Sequence, residues 1–251
     1  MRHLRNPFVQ IGLWTFAITA VVGVIVWTVP WEPESASTAA KPIDTLYDVL
    51  ALVSAFVLAL VTSILLVSVV HFRKRSPDDL RDGEPIHGHT RLEVFWTTIP
   101  ALLMIGTAVY SGLVLLDIED SKANTQTVDV TAEQFAWTFA YPQQKIRSGE
   151  LHLVRDTPYL FKLKAKDVIH SFWVPQFRMK KDAVPGIPTE VRVTPTRNGR
   201  YTLACTELCG LGHSTMRATV VVEDQPAFDK WAQLQKAGKG PRPGGVTGQS
   251  G

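Results

Sequence analysis

Cys205-Thr206-Glu207-Leu208-Cys209-Gly210-Leu211-Gly212-His213-Ser214-Thr215-Met216 gathers two thiols, an imidazole and a thioether in one short segment between two strand-like runs, Arg200–Ala204 and Arg217–Val222. Sulfur and imidazole donors together select copper or zinc over hard cations. A single-copper blue site needs one Cys, two His and a weak axial Met, so the second cysteine is surplus to it. Two thiolates can instead bridge two copper ions, each of which then needs one terminal imidazole. His213 supplies one. His170, in Asp167-Val168-Ile169-His170-Ser171-Phe172 just after an alternating run, is the best candidate for the other. Gly210 and Gly212 let the loop wrap closely around the metals.

Other readings of the same residues stand beside this one. Cys205 and Cys209 would form a disulfide in an oxidising compartment, which leaves the positions of His213 and Met216 unexplained. Zinc would use Cys and His but has little use for Met216. Met216 taken singly reads as core filler, and a lone His170 as a satisfied histidine.

Outward from the loop, Thr127–Thr131, Tyr159–Lys164, Glu190–Thr194 and Arg217–Val222 alternate apolar and polar residues, with Pro and Gly between them. That pattern predicts an antiparallel sandwich or barrel. Asn198-Gly199 is a hairpin-type turn signal. Pro226–Leu234 reads as a short helix, followed by a Gly- and Pro-rich tail of disordered composition.

Upstream, Ile11–Val29, Leu46–Val70 and Val94–Leu116 are apolar runs, each long enough to cross a hydrocarbon core of roughly 30 Å. The cluster His71-Phe72-Arg73-Lys74-Arg75 keeps the loop between the second and third runs inside, so everything after Leu116 lies outside. Met1-Arg2-His3-Leu4-Arg5 gives the first run the same inside-to-outside direction. That run is a signal sequence or a retained extra helix. It is long for a signal core, and the nearest small-residue site, Ser37-Thr38-Ala39, lies well beyond Pro30, which favours retention.

The 251 residues carry a net charge of +3, too small to argue for a nucleic-acid partner, and two cysteines make no disulfide framework. There is no Cys-x-x-Cys-His, hence no fused c-type haem.

Cys205-x-Glu207-x-Cys209-x3-His213-x2-Met216 resembles the copper A signature of cytochrome c oxidase subunit II. Asp167–Ser171, Val174-Pro175, Lys180-x-Asp182-Ala183-Val184-Pro185-Gly186 and Glu93-x2-Trp96-Thr97-x2-Pro100 resemble the same family in the same order. The expected fold is membrane-anchored all-β: a transmembrane helical hairpin, plus an N-terminal hydrophobic helix or signal, followed by a cupredoxin-like Greek-key β-barrel. The expected layout is residues 1–44 for the N-terminal segment and linker, 45–118 for the hairpin, 119–225 for the copper A domain, and 226–251 for the short helix and tail.

The resemblance implies a set of roles. Cys205 and Cys209 bridge two copper ions, and His170 and His213 are terminal ligands. Met216 and the Glu207 carbonyl are weak ligands. The Glu207 side chain points to a magnesium or manganese site shared with subunit I. The chain then accepts electrons from cytochrome c and passes them to haem in subunit I, where oxygen is reduced and protons are translocated; it holds no catalytic residue itself. Its setting is a bacterial cell membrane, among the other oxidase subunits, with the copper domain on the outer face.

Glu93 is expected at the inner mouth of a proton path, while Thr90-Arg91-Leu92-Glu93 also fits a capping box. The family's electron-uptake tryptophan aligns with Phe135, leaving Phe135 or the later Trp137 for that role; both also fit as barrel packing. Between Ser121 and Asp224 there are 14 Lys/Arg against 10 Asp/Glu. A docking face for a basic cytochrome c should be acidic, so the balance favours a donor that is not strongly basic, such as a membrane-bound cytochrome. The competing functions are a quinol oxidase subunit II, which keeps the fold without the copper ligands, and a free-standing membrane cupredoxin that carries copper.

Overall fold

The computed structural model describes residues 6–73, 85–120 and 122–242. The charged start Met1–Arg5, Lys74 and Arg75 of the basic cluster, and the end of the Gly- and Pro-rich tail lie outside the described residues. Two compact units emerge: residues 1–31 with 44–113, and residues 32–43 with 114–251.

The first unit is helical. Helices α1 (Pro7–Thr28), α2 (Ala40–Phe72) and α3 (Thr90–Glu119) are each long and apolar enough to cross a membrane. Asn6 caps α1 by accepting the Phe8 N–H at 2.9 Å, and Pro7 takes the first turn, where its missing donor costs nothing. α3 buries none of its described side chains; an apolar helix exposed all round is what lipid stabilises. The expected capping box at its start is displaced by one residue. His89, not Thr90, is the cap: its N–H donates to Glu93 Oε1 at 3.0 Å and its Nδ1 faces the Leu92 N–H at 3.3 Å.

The second unit is a sandwich of two five-stranded sheets. One holds, in spatial order, β3 (Ile146–Ser148), β2 (Ala136–Tyr141), β1 (Gln126–Glu133), β5 (Tyr159–Ala165) and β8 (Thr189–Val193). The other holds β4 (Leu151–Val154), β10 (Arg217–Glu223), β9 (Gly199–Cys205), β6 (His170–Val174) and β7 (Met179–Ala183). The architecture is cupredoxin-like and membrane-anchored, as expected. It is not wholly antiparallel, because β1 pairs β5 and β10 pairs β4 in parallel. Nor is Asn198-Gly199 a hairpin turn. β8 and β9 belong to different sheets, so the segment crosses the sandwich instead of reversing within one ladder.

Alternation explains the core. Val128, Val130 and Ala132 of β1 and Phe161 and Leu163 of β5 face inward against Phe172, Leu203 and Val220. Buried Val, Leu and Phe side chains contribute about 1.5–3 kcal/mol each. Helix α4 (Gln225–Lys236) closes one end, burying Phe228, Trp231 and Ala232.

Residues 32–40 strap the same sandwich. Ala36 N–H donates to Gln176 O at 2.8 Å, Thr196 N–H to Ala36 O at 2.9 Å, Thr38 N–H to Thr194 O at 3.1 Å, and Ser37 Oγ to Phe177 O at 2.8 Å. The small residues Ala36, Ser37, Ala39 and Ala40 are buried there; larger side chains would hold the strand off the sheet. The small-residue stretch that resembled a processing site is therefore part of the folded domain.

Candidate metal centre

Three neighbouring strands of one sheet position the candidate ligands. His170 opens β6, Cys205 closes β9, and Met216 immediately precedes β10. β6 and β9 pair with Phe172 opposite Cys205. The Cys205 N–H donates to Met216 O at 3.1 Å and the Thr206 N–H to Ser171 O at 3.2 Å, which pinches the loop shut at its base and ties it to β6. His213 begins a single 3-10 turn through Thr215.

The two sulfurs stand 3.9 Å apart, far beyond the ~2.05 Å of a disulfide, and both cysteines are free. His170 Nδ1 lies 3.8 Å from Cys205 Sγ, and His213 Nδ1 3.6 Å from Cys209 Sγ. Met216 Sδ is 3.8 Å from Cys209 Sγ, and the Glu207 carbonyl oxygen 3.3 Å from Cys205 Sγ. Among the described residues, the ligand atoms of His170, Cys205 and Cys209 all lie within 4.8 Å of one another. His170 and Met216 are fully buried and the cysteines nearly so; His213 is half-buried and Glu207 exposed. Burial and the neighbouring Cys205 push the Cys209 thiol up to about 11, so a metal must displace its proton. A buried set of thiols, imidazoles and a thioether fits a soft metal such as copper.

Asp167, three residues before His170, ties that histidine to the neighbouring hairpin. Its Oδ1 sits 2.8 Å from His170 Nε2 and accepts the Val168 N–H at 2.7 Å, while Oδ2 accepts the Gln134 N–H at 2.7 Å. Burial pushes this carboxyl up, but those hydrogen bonds outweigh it and hold the pKa below the usual value. The signal for it in the sequence was the i, i+3 spacing to His170.

Phe135 and Trp137 are placed differently. Trp137 is buried, edge-on to His170 with ring centroids 6.2 Å apart and edge-on to Phe172 at 6.1 Å. Phe135 is half-buried over the glycines of the loop. A Cβ on Gly212 would lie 2.5 Å from its ring, and Gly210 adopts φ +134°, so both positions require glycine. Glu93 belongs to the helical unit, capping α3, and is not among the metal-site residues.

Comparison with known proteins shows the family. The profile for "Cytochrome C oxidase subunit II, periplasmic domain" matches residues 149–224, and that for "Cytochrome C oxidase subunit II, transmembrane domain" matches residues 27–114. Cytochrome c oxidase subunit 2 of Thermostichus vulcanus is 31% identical, over 90% of this chain and 86% of that relative. The chain belongs to the cytochrome c oxidase subunit II family. The subunit 2 of Synechocystis sp. is 30% identical, over 85% of this chain and 81% of its own length. Among solved structures, the periplasmic domain of subunit II of cytochrome oxidase of Bradyrhizobium japonicum is 25% identical with a TM-score of 0.45, covering 47% of this chain and 97% of that domain. Family membership places this chain among the subunits of haem–copper oxidases.

Proposed function

We propose that this chain is the electron-accepting subunit of a respiratory cytochrome c oxidase and that it holds two copper ions at the Cys205–Met216 loop. One observation carries the reading: the thiols stand 3.9 Å apart with one imidazole nitrogen against each, His170 at 3.8 Å and His213 at 3.6 Å. Two thiols, each faced by its own imidazole, make the donor set that two soft ions sharing the sulfurs would use, with one imidazole for each ion.

In this reading Cys205 and Cys209 would hold both ions, His170 and His213 would each hold one, and Met216 and the Glu207 carbonyl would be weaker donors. A mixed-valence copper pair spreads one electron over two metals, so that bond lengths change little on reduction. The chain supplies rigidity and dryness: the bond from the Cys205 N–H to Met216 O closes the loop, and fully buried His170 and Met216 keep water out. The exposed Glu207 carboxylate is left to reach the magnesium or manganese shared with subunit I. Phe135, half-exposed beside the loop, takes up the electron, while buried Trp137 braces His170.

The copper domain faces the outer side of a bacterial cell membrane, and subunit I accepts the electron at its haem. The donor is cytochrome c or a membrane-bound cytochrome, the latter suiting the surplus of basic residues. A quinol oxidase subunit II is disfavoured because all five side-chain ligands are present. Glu93 keeps its proton-path role beside its capping role; Glu93→Gln retains the cap acceptor, so slowed proton uptake with unchanged copper reduction is the expected outcome.

The test is the EPR spectrum of the copper-loaded full-length protein in detergent. Hyperfine structure from two equivalent copper nuclei is expected. A pattern from one nucleus, or joined cysteines in the active protein, would overturn the reading.

A further inference from the structure

We infer that Gln134 and Asp167 form a positioning bracket that orients ligands from both halves of the copper centre. The inference rests on the copper reading above. Glu133 and Ala136 pair across β1 and β2, so Gln134 and Phe135 are the two residues at the tip of a tight hairpin. That tip belongs to the opposite sheet from every proposed ligand, yet it touches both sources of ligands.

On one side, the Gln134 N–H donates to Asp167 Oδ2 at 2.7 Å, and Oδ1 of the same carboxylate lies 2.8 Å from His170 Nε2. A histidine that donates Nε2–H to a carboxylate keeps its lone pair on Nδ1. Nδ1 is the atom that faces Cys205 Sγ. On the other side, the Gln134 side-chain amide donates to the Cys209 carbonyl. Next to it, the Phe135 ring lies against Gly210 and Gly212, where added Cβ atoms would come within 3.2 and 2.5 Å of it. One two-residue turn thus sets the tautomer and direction of His170 through Asp167 and the height of the Cys209 end of the loop directly. Gln134 and Asp167 are positioning residues, since they meet the site through the Cys209 carbonyl and the far ring nitrogen of His170 and not through a sulfur.

The test compares full-length Asp167→Ala and Gln134→Ala with the unaltered protein, reading copper affinity, EPR hyperfine pattern and midpoint potential. Removal of such outer partners costs about 10–100-fold in metal affinity, and that loss is expected for Asp167→Ala, with a smaller loss for Gln134→Ala and a shifted potential in both. Gln134 is exposed, so its truncation opens no core cavity and the variant stays folded even if Asp167→Ala does not. Lys166→Ala breaks the exposed ion pair to Glu133 beside the same tip and is expected to leave all three readouts unchanged. Affinity and potential in both variants equal to the unaltered protein would overturn the inference, as would an equal shift in Lys166→Ala. Absence of a two-copper spectrum from the unaltered protein would instead defeat the underlying reading.

Discussion

His170 and His152 are buried in the same sheet, on β6 and β4, and their surroundings make them opposites. His170 has one ring nitrogen held by Asp167 and the other turned toward a thiol. His152 has both nitrogens turned to carboxylates, Glu223 at 2.8 Å and Glu150 at 3.4 Å, and its ring lies flat on Trp231 with centroids 4.0 Å apart. The first is half-satisfied and available to a metal. The second is fully engaged and serves packing, clamping α4 to the sandwich. Burial therefore does not mark out a candidate ligand; a ring nitrogen left facing a thiol does.

The sharpest way to break this contrast is Cys209→Ser. Loss of a shared sulfur is expected to abolish the two-copper signal and cytochrome c oxidation while circular dichroism and thermal unfolding of the domain stay near normal. Retained turnover would remove the functional half of the comparison.

At the other end, Trp231→Ala is expected to cost about 3–5 kcal/mol in denaturant unfolding and to leave the copper spectrum unchanged. A changed spectrum would mean that the two ends are not independent.

A pH experiment probes the strand that carries His152. Tyr159 accepts the Val154 N–H at 2.9 Å, and burial raises its pKa from 10.0 to about 12. A folded-state pKa above the unfolded value means the native state holds the proton longer. Its contribution is therefore complete below pH 10 and lost as pH rises toward 12, on the order of 3 kcal/mol. Tyr159→Phe should flatten the alkaline limb of the stability profile; an unchanged limb would count against the buried phenol as its source.

The smallest effect is expected at the loop. Gly212→Ala pushes a methyl into the Phe135 ring, for about 1–3 kcal/mol of overpacking, and Phe135→Ala in the same chain should relieve it. Additive losses would show that the ring is not what makes glycine necessary.

Much of this was readable in advance because it is local. The spacing of Cys205, Cys209, His213 and Met216 follows from one loop, and the alternation of Val128, Val130 and Ala132 or of Phe161 and Leu163 follows from strand geometry. The misjudged features depend on distant pairing. Asn198-Gly199 looks like a hairpin, but β9 finds β10 and β6 as partners, and β8 finds β5. Thr90 looks like a helix cap, but the chain begins its helical turn at that residue and leaves the cap to His89. Ser37–Ala39, which lies too far beyond the first apolar run to favour cleavage, uses its small side chains for close packing on the sheet.

The sequence by itself determined the three apolar spans, the β-rich domain after them and the ligand types, because hydrophobic length, alternation and donor chemistry are carried by neighbouring residues. Only the tertiary structure decided which histidine stands half-free, that a hairpin tip from the opposite sheet meets the Cys205–Met216 loop, and that the linker before α2 packs as part of the β-sandwich domain. Those outcomes rest on hydrogen bonds between residues from about thirty to over a hundred positions apart, Gln134 to Asp167 and Ser37 to Phe177 among them, and no local pattern encodes such partners.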